Sequence, residues 1–201
     1  MYSDMKLYLI VKDIITLILA IVGLFITGGG LITWKKQIKG KKGFETAYDL
    51  HCAVLQLRHA FEHVRNPAIW PSESRTAIIY AKEKYPEKSD EEIEKDSHSY
   101  VYEMRWDKVQ EARLKIDSYL LAAEVMWGSK ILDLTKPLNK KAGELNIALK
   151  QHFQTELVIE DYMNINDIIY GRLDSDDKDN FSKEVNSIID NISDYLKVKI
   201  K

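Results

Sequence analysis

Cysteine is nearly absent from this sequence, with Cys52 the only one among 201 residues. A single thiol cannot form an internal disulfide, which excludes the disulfide-stapled secreted domains and fits a reducing cytoplasm. Glycine and proline are also scarce, at nine and four residues. No low-complexity segment, repeat of fixed period or β-hairpin signal is present. These absences favour long helices over a turn-rich β-fold.

The patterns typical of common catalytic and metal sites are missing too. The sequence has no phosphate-binding loop, nucleophile elbow or zinc ribbon. Four aspartates lie close together at Asp174, Asp176, Asp177 and Asp179. Neither a glycine nor a closing glutamate has EF-hand spacing around them, so we expect a solvated loop over residues 174–180. We predict no metal and no cofactor.

Charged side chains are absent from one long stretch, residues 14–34. A helix rises about 1.5 Å per residue, so this stretch spans roughly the 30 Å core of a bilayer. A buried core helix would carry a polar stripe, and only three threonines interrupt the run. A cleaved signal peptide would have its positive charges before the run and a cleavage site after it. We therefore predict an uncleaved transmembrane helix, a signal-anchor, over residues 14–34, preceded by a flank of residues 1–13.

Lysines follow the predicted membrane helix at once, in a basic linker of residues 35–43. The lysines of the N-terminal flank, Lys6 and Lys12, are balanced by Asp4 and Asp13. The positive-inside rule then places the C-terminal side in the cytoplasm. We expect the residues at the lipid surface to be Trp34, Lys35, Lys36, Lys39, Lys41 and Lys42. The lysines either set the topology alone or also attract anionic lipid.

Residues 44–201 are predicted to form a separate acidic domain. Residues 1–43 carry seven lysines against two aspartates, whereas the whole chain has a formal net charge of −2, so the remainder carries −7. A segment of this length can bury a substantial core. Its negative charge repels nucleic acid, which we do not expect as a partner.

The apolar spacing of this domain is that of helices throughout. From Phe44 to Arg65 the apolar residues recur at steps of three and four, and Asn66-Pro67 ends the helix. We predict a short helix from an N-cap at Ser72 to about Tyr85, and a capping box at Ser89. The helix that follows, interrupted near Ser97–Ser99, keeps its heptad rhythm to Trp127, with Trp106 and Trp127 in the core.

The last third of the chain is also predicted to be helical. Pro137 is expected to break or kink the chain, and a further helix to run from Leu138 to Leu157. The last helix should bury the face that comprises Phe181, Val185, Ile188, Ile192 and Tyr195. The predicted fold is all-α: one N-terminal transmembrane helix and an antiparallel helical bundle with coiled-coil-like packing.

The segment Leu57–Arg65 holds the richest set of chemical groups. His59 and His63 have a metal-capable spacing, but two ligands are too few for zinc. Arg58, His59 and His63 resemble the Arg-x4-His motif of the higher-eukaryote and prokaryote nucleotide-binding (HEPN) ribonucleases. That resemblance implies metal-independent RNA cleavage with these three residues as the catalytic set. The other interpretation is an i,i+4 pair of Arg58 with Glu62 beside solvated histidines, and an Arg65 that meets the C-terminal helix dipole.

A wider resemblance covers residues 30–155. Segments such as Trp34-Lys35-Lys36-Gln37 and Val64-Arg65-Asn66-Pro67 look like those of a set of short bacterial proteins with one N-terminal membrane helix and a cytoplasmic helical region. No activity carries over from that set. We therefore expect a non-enzymatic protein of the bacterial inner membrane that binds a protein partner or itself. Two alternatives stay open: a membrane-tethered ribonuclease that acts as a toxin or defence effector, and a small regulatory subunit whose membrane helix packs against a larger membrane complex.

Overall fold

The computed structural model describes residues 2–153, 159–170 and 179–200. Its helices are α1 (Tyr2–Val64), α2 (Pro71–Lys84), α3 (Asp90–Lys95), α4 (Ser97–Trp127), α5 (Lys130–His152), α6 (Ile159–Tyr170) and α7 (Asn180–Ile200). The described ranges contain no β-strand. The all-α prediction is therefore confirmed. Residues 154–158 and 171–178, which include Leu157 and three of the clustered aspartates, lie outside the described residues.

The chain divides into two compact units, Met1–Phe44 and Glu45–Lys201, and α1 contributes to both. In the first unit, α1 is long and apolar enough to cross a membrane, and none of its most apolar stretch is buried. The hydroxyls of Thr16, Thr27 and Thr33 each donate to the carbonyl four residues earlier. The polar groups of the run are thus satisfied within the helix, as an apolar surrounding requires.

In the second unit, the predicted apolar face of α1 is buried as expected. Its members are Ala47, Leu50, Val54, Leu57, Phe61 and Val64. Residues on the back of the same helix, such as Gln56 and His59, are exposed. The helix ends at Val64. Pro67 follows three residues later and disfavours a helical conformation of Asn66, the residue before it.

The next two helices differ little from expectation. α2 begins at Pro71 and not after Ser72: Trp70 is its N-cap in extended backbone, and proline is favoured at the first helical position. The capping box at Ser89 is confirmed, since its hydroxyl accepts from the amide of Glu92 at 3.3 Å and its amide donates to the Glu92 carboxylate at 2.9 Å. α3 and α4 meet at Asp96.

The predicted helix start at Leu138 is wrong. α5 begins at Lys130, and Pro137 lies inside it. The break comes earlier, at Gly128, whose φ of 82° is readily accessible only to glycine. Pro137 removes one backbone donor, and the burial of the α5 face that comprises Ile131, Leu138, Leu145 and Leu149 keeps the helix intact.

The core of the second unit lies between α1, α4, α5, α6 and α7. On α7 the buried face comprises Phe181, Val185, Ile189, Ile192 and Leu196. The predicted members Ile188 and Tyr195 are half-buried at its edge. Trp106 and Trp127 pack partly buried against the same core, whereas Phe153, which lies within the helix predicted from Leu138 to Leu157, is exposed.

Candidate functional site

The three residues of the ribonuclease-like segment do not converge in the structure. Arg58 lies 3.8 Å from its i,i+4 neighbour Glu62, the pair that the sequence predicts, and lines a small hollow beside Phe181 of α7. His63 points to α2, where its Nε2 atom lies 3.7 Å from the Glu73 carboxylate. His59 is exposed. Arg58 and His63 thus face different helices, and the ribonuclease hypothesis stays a prediction.

A buried arginine on α4, Arg105, is not among the residues that the sequence patterns predict to be functional. Arg105 is 1% exposed. It donates to both carboxylate oxygens of Glu73 at 2.7 Å and to the carbonyls of Asn66 and Ala68 at 2.5 and 2.7 Å. Its guanidinium also stacks on the Tyr102 ring, 5.3 Å from the centroid. The signal was present: Arg105 lies three residues after Tyr102 and four before Val109, at a core position of the heptad.

The partner of Arg105 is an ionised carboxylate. The hydrogen bonds from Arg105 lower the pKa of Glu73, burial opposes this shift, and the nearby charges of Arg105 and His63 add to the lowering. The bidentate pair joins the start of α2 to the middle of α4, and the two carbonyl contacts add the turn that follows α1. This arrangement positions helices and uses four of the five guanidinium donors within the fold.

A second buried arginine, Arg65, has a similar role at the other side of that turn. It donates to the Asp179 carboxylate through both terminal nitrogens at 2.8 Å, and to the carbonyls of Ile168 and Asp167 at 2.7 and 3.2 Å. The expectation that it meets the dipole of its own helix is thus wrong. It caps the C-terminal carbonyls of α6, because those groups have no intrahelical partner.

The sequence predicts that Asp179 lies in a solvated loop. In the structure its carboxylate is instead largely buried and paired with Arg65. Burial raises its pKa, but hydrogen bonds from Arg65 and Ser182 outweigh burial, so the net pKa is lowered. In the described ranges, no group of three or more histidine, cysteine or acidic side chains is placed to hold a metal ion.

A cleft of about 690 Å³ in the second unit lies where the ends of several helices meet. Its lining comprises Pro67, Ile69, Pro71, Ser74, His98, Tyr102, His152, Phe153 and Tyr170. The Tyr170 hydroxyl and the Nε2 atom of His152 form a 2.9 Å hydrogen bond. Burial lowers the pKa of His152 and raises that of Tyr102, so both are neutral at pH 7. The cleft can offer hydrogen bonds and aromatic surface to an uncharged molecule.

A serine–histidine pair joins α1 and α7. The Nε2 atom of His51 lies 2.8 Å from the Ser193 hydroxyl. Such a pair is the core of a hydrolase site when the hydroxyl faces a substrate cavity. Ser193 is buried, and burial, followed by the charges of Lys197 and Arg58, lowers the pKa of His51. The contact joins two helices and does not present a nucleophile.

The residues predicted at the lipid surface are all exposed. They are Trp34, Lys35, Lys36, Lys39, Lys41 and Lys42, and they continue α1 beyond the apolar run. No protein-family model, curated protein or solved structure matches the chain. The wider resemblance to short bacterial membrane proteins therefore stays an expectation.

Proposed function

We propose that this protein is a single-pass protein of the bacterial inner membrane whose helical domain lies in the cytoplasm and binds a protein partner or another copy of itself. The exposed apolar run of α1 carries the proposal. Its large aliphatic and aromatic side chains, among them Leu17, Leu24 and Phe25, are exposed in their own unit. In water such a surface is unfavourable by about 25 cal/mol per Å² of apolar area, and a lipid bilayer removes that cost.

The lysines after the run support the proposed orientation. Five of them lie within residues 35–42, and the run itself has no charge. Translocation of such a cluster is disfavoured, so it stays on the cytoplasmic side. Trp34, at the start of the cluster, suits the headgroup region because its ring is amphipathic.

The geometry of the second unit supports an antiparallel bundle. α2 packs on α4, α4 on α5, and α5 on both α6 and α7. Only Gly128 and Ser129 separate α4 from α5. Such a short connection between two long helices favours antiparallel neighbours.

Binding is favoured over catalysis because the two buried arginines and His51 are already used within the fold. Arg65 and Arg105 hold carboxylates and backbone carbonyls, and His51 is bonded to a buried serine. An enzyme site requires convergent groups directed at a shared cavity. The cleft at the helix ends instead presents the rings of Tyr102, His152 and Tyr170, of which the last two are hydrogen-bonded to each other.

Reporter fusions test the orientation. A reporter active only in the cytoplasm, fused after Lys201, should work, and a periplasm-only reporter at the same place should not. A matched chain with the five linker lysines changed to glutamine should lose the strict preference, because the topological charge is gone. Activity of only the periplasmic reporter in the unchanged chain would contradict the proposal.

Purification tests the interaction. The full chain, extracted in mild detergent, should co-elute with a stoichiometric partner or as a self-associated species. A monomer that brings down nothing at any detergent level, while it hydrolyses RNA, would contradict a binding role.

A further inference from the structure

The fold brings the lysine-rich end of α7 back to the point where α1 enters the second unit. Near its start, α7 accepts a hydrogen bond from Arg65, the residue after α1. Near its end, the Ser193 hydroxyl lies 2.8 Å from the Nε2 atom of His51, so the two helices are antiparallel. Six further residues lead to Lys199 on α7 and to Glu45, the first residue of the unit, on α1. Since both helices rise about 1.5 Å per residue, Lys199 and Glu45 lie at the same end of the unit.

The turn between α4 and α5 lies at this end as well. Lys130, the first residue of α5, has its Nζ atom 5.6 Å from the centroid of the Tyr195 ring on α7. The Nζ atom of Lys199 lies 5.1 Å from the same centroid. Val198, which lies between two lysines, is 69% exposed. We call Lys130, Lys197, Val198 and Lys199 the basic end of the second unit.

The basic end differs in charge from the acidic domain to which it belongs. The domain carries a net charge of −7, whereas residues 195–201 hold three lysines and no acidic residue. Asp194 pairs with Lys197 at 2.9 Å, but the two side chains are 75% and 63% exposed, and such a pair contributes little. Asp194 and Glu124 also lie farther back along their helices, and Glu45 directly follows the basic linker. A favourable interaction with the helix dipole explains lysines in a last turn, but it does not explain an exposed valine between them.

Chain connectivity keeps the basic end near the bilayer in a chain anchored as proposed. Residues 35–44 join the membrane helix to Glu45, and as part of α1 they span about 15 Å. The headgroup layer takes up about 5–8 Å of that length. Charges interact over a screening length of about 8 Å at physiological ionic strength. The basic end is therefore within electrostatic reach of the lipid surface.

We propose that the basic end of the second unit binds the anionic phospholipid surface of the adjacent leaflet, with its lysines on lipid phosphates and Val198 among the headgroups. This rests on the proposed function and adds the lipid surface as a second partner of the helical domain. Each lysine near such a surface favours contact about fivefold, so Lys197 and Lys199 together contribute about 25-fold. Lysine suits this position, because its aliphatic stem can lie on apolar surface while the ammonium group stays in water.

Fluorescence quenching in reconstituted vesicles tests this inference with the full chain. A Val198→Cys chain in a Cys52→Ser background carries a thiol-linked fluorophore, and the vesicles contain a lipid with a nitroxide quencher on its headgroup. In vesicles of phosphatidylcholine and phosphatidylglycerol, the label should be quenched at least threefold more than in phosphatidylcholine alone. The difference should vanish at about 1 M salt, where the screening length falls to about 3 Å.

The matched label position is Ile79→Cys on α2, a residue that is 60% exposed. Arg105 pairs with Glu73 of α2 and donates to the carbonyl of Asn66, directly after α1. These bonds hold α2 beside the opposite end of α1, about 30 Å of helix from Glu45. The α2 label should therefore be quenched weakly, and to the same extent in both kinds of vesicle.

Charge removal tests whether the lysines drive the contact. Lys197→Gln with Lys199→Gln should abolish the phosphatidylglycerol-dependent quenching of the Val198→Cys label. The matched pair Lys82→Gln with Lys95→Gln removes the same charge from exposed sites on α2 and α3, and should leave the quenching unchanged. Equal quenching in both lipids, an undiminished signal after loss of the two α7 lysines, or the same lipid dependence at the α2 label would each overturn the inference.

The same vesicles separate this inference from the proposed function. Flotation of the chain with the vesicles after alkaline treatment supports the anchor in either lipid. A chain that floats, but whose Val198→Cys label shows no phosphatidylglycerol-dependent quenching, would overturn only the lipid contact. A chain that stays in the soluble fraction would overturn the membrane proposal, and this inference with it.

Discussion

Removal of the Glu73 side chain should destabilise the second unit strongly. Glu73→Ala leaves the Arg105 guanidinium buried with only the carbonyls of Asn66 and Ala68 as acceptors. Loss of one partner of a buried ion pair costs about 3–5 kcal/mol. A domain of this size has a total stability of about 5–15 kcal/mol. The substitution should therefore remove a large part of the free energy of unfolding.

Urea denaturation of the full chain in mild detergent measures this effect. Trp70, Trp106 and Trp127 lie in the second unit and report its unfolding by fluorescence. With a urea dependence of about 1–3 kcal/mol per molar, the midpoint should fall by about 2 M. The CD spectrum at zero urea should stay helical, because the loss concerns tertiary packing.

The matched control is Glu111→Ala, which removes a carboxylate from an exposed ion pair. Glu73 is 12% exposed, whereas Glu111 is 58% exposed and pairs with Lys108 on the same helix. Exposed pairs contribute about 0–1 kcal/mol, so the midpoint should hardly move. Equal urea midpoints for the two variants would refute the claim that Arg105 and Glu73 form a buried ion pair that stabilises the fold.

Three further outcomes are expected. Leu57→Asp should unfold the second unit, because it buries an unpaired charge, whereas Gln56→Asp should cost well under about 1 kcal/mol; equal melting temperatures would show that the helical phase is wrong. Folding lowers the pKa values of Glu73 and Asp179 from 4.5 and 3.8. Their contribution to stability is therefore present above those values and is lost as the pH falls through the lower folded values. A urea midpoint that does not fall between pH 6 and pH 3 would contradict this. His63→Ala should leave growth and cellular RNA unchanged on overexpression, and RNA cleavage by the purified chain, lost in this variant and insensitive to a chelator, would revive the ribonuclease hypothesis.

Local spacing predicted the parts of the fold that depend on one segment. Leu50, Leu57 and Phe61 recur at helical steps, and burial of one face follows from that spacing alone. Pro67 and the capping box at Ser89 mark helix ends through backbone chemistry that involves only their neighbours. For these features sequence and structure agree.

Features that join distant segments could not be predicted in this way. Arg65 and Asp179 are 114 positions apart, so no local pattern pairs them, and a helix stop explains Arg65 equally well. The cleft of about 690 Å³ could not be predicted for the same reason, because His98 and Tyr170 come from different helices. The error at Pro137 is different: Gly128 was the stronger break, since a glycine with positive φ turns the chain whereas an interior proline removes one hydrogen bond.

The central claim is that residues 14–34 hold an independently folded helical domain at a membrane. The most direct measurement is fractionation of cells that express either the full chain or a chain without residues 1–34. The full chain should sediment with membranes and resist alkaline extraction, and the shortened chain should be soluble and helical with a cooperative melting transition. A full chain in the soluble fraction, or a shortened chain that stays unfolded even with detergent, would contradict the account.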